Sequence, residues 1–200
     1  MLRVMKPLKV KEFDLSFRRN FHVLDCLQSL DPLELKKVML TNTSGLMVTR
    51  GTMVTRGTMV DMDLDEIVKW KNCEQMWLRG IRIAMPIQNL FHIKKVVSGF
   101  KDVTLQMILD TKEAFLKSSH MNQFLMLFAR NTLLKTQLTG EFGPPFQERG
   151  GRTDRDPPNW YFRIPEDSGN VLHVRIAKTF AAVGFNRIPN EKVPQRATVL

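Results

Sequence analysis

The chain has 200 residues, 43% of them apolar, with 30 Lys and Arg against 20 Asp and Glu, a net charge of +10. That size and apolar share suit one domain with a real core, or one domain with a tail. Two distant cysteines, Cys26 and Cys73, exclude a disulfide scaffold and a zinc site and fit a reducing compartment. No window approaches 18 apolar residues, which excludes a simple membrane-spanning helix.

The charge is uneven. Residues 1–60 carry ten Lys/Arg against five Asp/Glu, 61–139 eleven against eight, and 140–200 nine against seven. Such a balance favours phosphate backbones or anionic membrane surfaces. Thirteen Phe and twelve Met stand against one Tyr; Met is first a core filler and secondarily an adaptable surface residue.

In chain order, Met1–Glu12 is basic with no apolar run behind it, so no cleavable signal peptide is expected and the sequon at Asn42 is expected to be idle. Asp31, Pro32 and Glu34 have the order of a helix start, which predicts a short helix through Leu40. Met47–Thr52 is repeated as Met53–Thr58. Six residues preserve strand faces, the glycine after each Arg invites a turn, and a surface loop carrying Arg50 and Arg56 is expected. Asp61–Glu66 lacks the glycine and final Glu of a calcium loop and reads as the acidic first turn of a helix.

Ile81, Ile83 and Met85 alternate with Arg82, predicting a half-buried strand ended by Pro86. Val103–Leu109 is apolar at its odd positions and is predicted to be a second strand, turning at Asp110 into a helix over Lys112–Lys135. Residues 140–159, rich in Gly and Pro, read as a loop. Trp160, Phe162 and Ile164 then face Leu172, Val174 and Ile176 across a turn at Pro165–Asn170, a hairpin with His173 and Arg175 on its other face. Another strand is expected over Thr179–Ile188. The division is thus 1–139, a basic N-terminal region and β/α core; 140–159, a loop; 160–188, a hairpin region of the same domain; and 189–200, a flexible tail.

No nucleophile elbow, phosphate loop, dinucleotide fingerprint or paired CxxC is present, and the four histidines have no metal-ligand spacing. His22 and Cys26 share a helical face but have no orienting third group. No catalytic residue, metal or cofactor is expected. Basic residues interleaved with aromatics remain, with Phe13, Phe17 and Phe21 near the start and Trp160, Tyr161, Phe180 and Phe185 near the end. Such aromatics stack on unpaired bases when exposed, and fill a core when strands alternate. The nucleic-acid contacts predicted are Arg3, Lys6, Lys9, Lys11, Arg18, Arg19, Arg163, Arg175, Lys178 and Arg187.

The strand Leu78-Arg-Gly-Ile-Arg-Ile-Ala-Met85, and the run Val103–Leu109 followed by Asp110, Thr111 and Lys112, resemble the thirty-kilodalton superfamily of plant-virus movement proteins. The alternating basic start, Val4–Phe13, resembles that family too. Asp110 matches the family aspartate and Gly169 its downstream glycine, with Gly184 behind it. Lys112 stands where Arg is commoner, and residues 140–159 have no counterpart. The resemblance implies an α+β, mainly β fold, a jelly-roll-like β-sandwich with flanking helices. It implies a non-enzymatic protein that binds single-stranded RNA or DNA without sequence preference and aids cell-to-cell spread. Host plasmodesmata, plasmodesmal proteins and endomembrane surfaces in the host cytoplasm would be its surroundings, with self-association a further expectation. The alternative is a structural viral protein of matrix or nucleocapsid type; a basic organellar or ribosomal component stands third.

Overall fold

A computed structural model describes residues 6–18, 23–44, 46–49, 52–55, 60–62, 69–128, 133–146, 157–177 and 182–200. The class is α+β, mainly β. The chain divides into two compact units, Met1–Gly99 and Phe100–Leu200.

The first unit runs β1 (Glu12–Phe17), α1 (Val23–Gln28), β2 (Lys37–Asn42), β3 (Leu46–Thr49), β4 (Thr52–Thr55), β5 (Val60–Met62), β6 (Gln75–Ile83) and β7 (Lys95–Phe100). Strands β1, β2 and β6 pair in parallel, β5 pairs with the end of β6, and β7 lies on β6's other side. Alternation decides the faces. Val38 and Leu40 of β2 and Met76 and Leu78 of β6 are buried, and α1 adds Val23 and Leu27, four residues apart.

The helix expected after Asp31 is absent. The Asp31 carboxylate does accept the Leu33 N–H at 3.0 Å, but this makes only one turn before β2 begins. Residues 37–42 alternate in burial, and the period-two pattern of Val38 and Leu40 outweighs the cap. The strand at Ile81–Ile83 is as expected, with Arg82 turned outward to Asp61, directly opposite in β5 at 2.7 Å. Asp61 and Met62 therefore belong to a strand, while residues 63–66 lie outside the described residues.

Gly80 is required where it stands: its φ is +67°, and a Cβ there would lie 2.9 Å from the Asn42 carbonyl oxygen. The Asn42 side chain donates to the Gly80 carbonyl at 3.3 Å and accepts the Ser44 N–H at 3.0 Å, holding the strands together where their ladder ends. The tandem repeat makes a hairpin rather than a loop. Leu46 faces Thr55, and Thr49 faces Thr52. Val and Thr favour strands; Arg50, Gly51 and Arg56 lie outside the described residues.

The second unit comprises α2 (Leu105–Lys117), β8 (Gln123–Leu127), α3 (Leu133–Phe142), β9 (Asn159–Arg163), β10 (Asn170–Ala177) and β11 (Ala182–Pro189). Its strands form an antiparallel sheet in the order β8-β11-β10-β9. The hairpin at 159–177 is as expected, with Trp160 opposite Val174 and Phe162 opposite Leu172. Helices α2 and α3 pack on that face through Phe115 with Phe185 (5.9 Å between centroids) and Phe142 with Trp160 (5.7 Å) and Phe162 (5.0 Å).

The run Val103–Leu109 is helical, not a strand. Thr104 caps α2, accepting the Met107 N–H at 3.2 Å, and Ile108, Thr111 and Phe115 make its buried stripe. A short apolar run satisfies both periods, and the cap decides. Nor does the helix continue to Lys135. Ser118 ends it by accepting the His120 and Met121 N–H groups, each at 3.2 Å, and β8 follows with Phe124 and Met126 buried. Residues 190–200 are not a loose tail. They form a short 3-10 turn and then lie along β9, where the Leu200 N–H donates to the Tyr161 carbonyl and its carbonyl accepts the Arg163 N–H, both at 2.9 Å.

Candidate functional site

The predicted contacts fall in three settings. Lys6, Lys9, Lys11 and Arg18 are exposed on the first unit, and Arg163 and Arg175 are exposed on the second. Arg3, Arg19 and Lys178 lie outside the described residues.

Arg187 is a correction. Its side chain is only 9% exposed, and four of its N–H donors are spent on protein acceptors. Nε donates to the Met121 carbonyl at 3.2 Å, Nη1 to Asp167 at 2.7 Å, and Nη2 to the carbonyls of Phe115 (3.3 Å) and Ser118. The guanidinium closes the C-terminal end of α2, where carbonyls lack helical partners and a cation is favoured. Asp167 is held below the usual carboxylate range, first by the Asn170 amide, which donates to both its oxygens at 3.0 Å, and then by Arg187.

The residues matched to a viral signature serve the scaffold as well. Asp110 sits inside α2, accepting the Gln106 amide at 2.7 Å, and is not the helix cap. Lys112 lies over the rings of Phe162 (4.8 Å) and Phe142 (5.4 Å), a cation–π contact. Gly169 occupies the turn before β10, where an added Cβ would meet nothing closer than 3.7 Å. Gly184 is similarly undemanding, at 3.5 Å from Leu125.

Two surfaces remain. On the first unit, the outward side of the parallel strands aligns Glu12, Lys37 and Gln75, then Asp14, Met39 and Trp77, then Ser16, Thr41 and Arg79. Parallel sheets are usually covered on both faces and built from continuous apolar runs, whereas here polar and apolar residues alternate. Met39 and Trp77 are half-buried, and the Arg79 guanidinium lies 5.7 Å from the Trp77 ring. The Trp77 indole N–H is buried without a hydrogen-bond partner among the described residues.

On the second unit, a cleft of about 740 Å³ opens beside β9. Pro144, Pro145, Phe146, Trp160 and Pro194 make its apolar lining, and Asn159, Gln195, Arg196 and Thr198 its polar lining. Phe146 pairs with Asn159, and the Tyr161 ring stacks on His173 at 4.9 Å and 8°. His173 donates Nε2–H to Asn159 at 2.8 Å and titrates down at about 4, chiefly through burial and then through Arg175. Trp160 and Tyr161 are 2% and 6% exposed, so these aromatics belong to the packing rather than to a base-stacking platform. Charge alone pointed to Arg163 and Arg175. Arg196 was missed because its neighbourhood reads as a tail, although Pro194 ahead of it is a rigid element.

The protein-family comparison overturns the viral resemblance. The family model of the FTH domain matches residues 1–138, and it is a family of non-viral eukaryotic proteins. The movement-protein reading, its matrix and nucleocapsid alternative, and the plasmodesmal surroundings fall with it. The finer jelly-roll description rested on the same resemblance and is dropped with it. Short hydrophobic strand motifs carried that resemblance, and strands in general share them. No curated protein and no solved structure matches the chain. Since the matched span takes in 138 of the 200 residues, the chain belongs to the FTH-domain family, an F-box-associated family found in C. elegans proteins.

Proposed function

We propose that this chain is a protein-recognition domain, a binding module and not a catalyst, that works alongside an F-box. Family membership carries the reading: an F-box is a protein-docking segment, and a domain that accompanies one is suited to choosing which protein is brought to it. The surfaces agree in kind. The alternating face with Met39, Trp77 and Arg79 lies inside the matched span and combines an aromatic and a flexible thioether with charged neighbours, the mixture common at recognition surfaces. The basic balance then acts by steering association with an acidic partner.

The test is recovery of the full chain with its partners from nematode extract treated with ribonuclease, followed by rebinding of the purified partner. A protein that survives the nuclease and rebinds in fixed stoichiometry supports the reading. Retention of RNA alone, with every protein lost on ribonuclease treatment, overturns it.

A further inference from the structure

The cleft beside β9 joins three features no other described surface combines. Its lining is rigid: three prolines fix their own backbone and present no N–H, so little ordering is needed when a ligand arrives. Its Trp160 is already satisfied, the indole N–H donating to the Gly143 carbonyl at 3.0 Å, which leaves shape and not a hanging donor as its contribution. Its charge is unbalanced. Arg196 lines the cleft, and Arg175 stands directly opposite Asn159, another lining residue, in the β9–β10 ladder. Both are exposed, and neither has a carboxylate within ion-pair distance among the described residues.

A ligand must therefore bring negative charge and an extended shape. Single-stranded nucleic acid held by base stacking would also need open aromatic faces, and those of Tyr161 and Phe162 are covered, by His173 and by Lys112. Carboxylates need only the planar guanidinium fork. We propose that this cleft receives an extended acidic segment of a protein partner, with its carboxylates on Arg175 and Arg196. The proposal rests on the recognition reading above and gives it a ligand chemistry. The cleft residues lie between 144 and 200, beyond the residues 1–138 that the family model matches.

The experiment is selection of random twelve-residue peptides displayed on phage against the full chain, then fluorescence anisotropy of the best peptide. Enrichment in Asp and Glu is expected, and Arg175→Gln with Arg196→Gln should weaken binding at least tenfold. Lys9→Gln with Lys11→Gln, the same charge change on the other unit, should alter it less than twofold. Near-ultraviolet circular dichroism shows that both double variants remain folded. Peptides without acidic preference, an equal loss in both variants, or a labelled twelve-nucleotide poly(U) binding more tightly through the same arginines would each overturn the assignment. If a ribonuclease-resistant protein partner is still recovered from extract, only the cleft assignment falls and the recognition reading stands.

Discussion

Replacing Arg187 with Met tests the reassignment of this residue from ligand contact to scaffold. The unbranched stem is kept as far as the Nε position, and all the donors are removed. Three carbonyls, of Met121, Phe115 and Ser118, then lose the hydrogen bonds they receive from the guanidinium. At about 1 kcal/mol each, the loss is about 3 kcal/mol. Asp167 keeps the Asn170 amide and meets water, so it adds little. Hydrogen exchange resolved by mass spectrometry reads this locally, over α2 (105–117) and β11 (182–189). Exchange through opening of the second unit should speed up roughly a hundredfold in Arg187→Met. Arg163→Met, an exposed arginine on the same sheet, should stay within about 0.5 kcal/mol of the parent. Arg187→Lys should recover less than half of the loss, because a point ammonium does not reproduce a fork spread over four acceptors. A cost below about 1 kcal/mol for Arg187→Met, or one equal to that of Arg163→Met, would refute the reasoning.

His173 predicts a pH dependence. Its folded value of about 4 lies below the ordinary 6.5, so the unfolded chain binds the extra proton and stability is lost as pH falls from 6.5 to 4. With the ring part-exposed, the loss is about 1–2 kcal/mol. Urea midpoints at pH 7 and pH 4.5 should show it in the parent and not in His173→Gln; equal losses in both would reject it. Gly80→Ala should cost about 2–4 kcal/mol in urea unfolding, from the positive φ and the Cβ placed 2.9 Å from the Asn42 carbonyl oxygen, whereas Gly169→Ala should stay within about 0.5 kcal/mol. The Cys73 thiol, pushed up to about 11 by burial, should react with a disulfide reagent only after denaturation, leaving Cys26 as the faster native thiol. Fast labelling of Cys73 in the folded chain would contradict its burial.

Much of the second unit's sheet could be read in advance. Trp160, Phe162, Leu172 and Val174 alternate on both sides of a turn rich in Pro, Asp, Gly and Asn, and a two-residue period flanked by turn chemistry has few other solutions. The strand at Ile81–Ile83 was legible for the same reason. Val103–Leu109 was not, because its apolar positions fit a strand or a helix, and the Thr104 cap and the packing of Phe115 on Phe185 settle the matter. The candidate site was less legible still. Local pattern marks a residue as basic; it does not say where its charge is spent.

By itself the sequence determined the alternating strands of the second unit's hairpin, the basic balance and the exposed arginines of β9 and β10, all of which follow from neighbours a few residues apart. Only the tertiary structure separated Arg187 from Arg163 and Arg175. The carbonyls that hold Arg187 come from 66 to 72 residues earlier in the chain, and whether a guanidinium meets solvent or a helix end depends on that long-range closure. The cleft has the same origin. Its prolines, Asn159 and Arg196 are separated along the chain and become one surface only when residues 190–200 lie down beside β9.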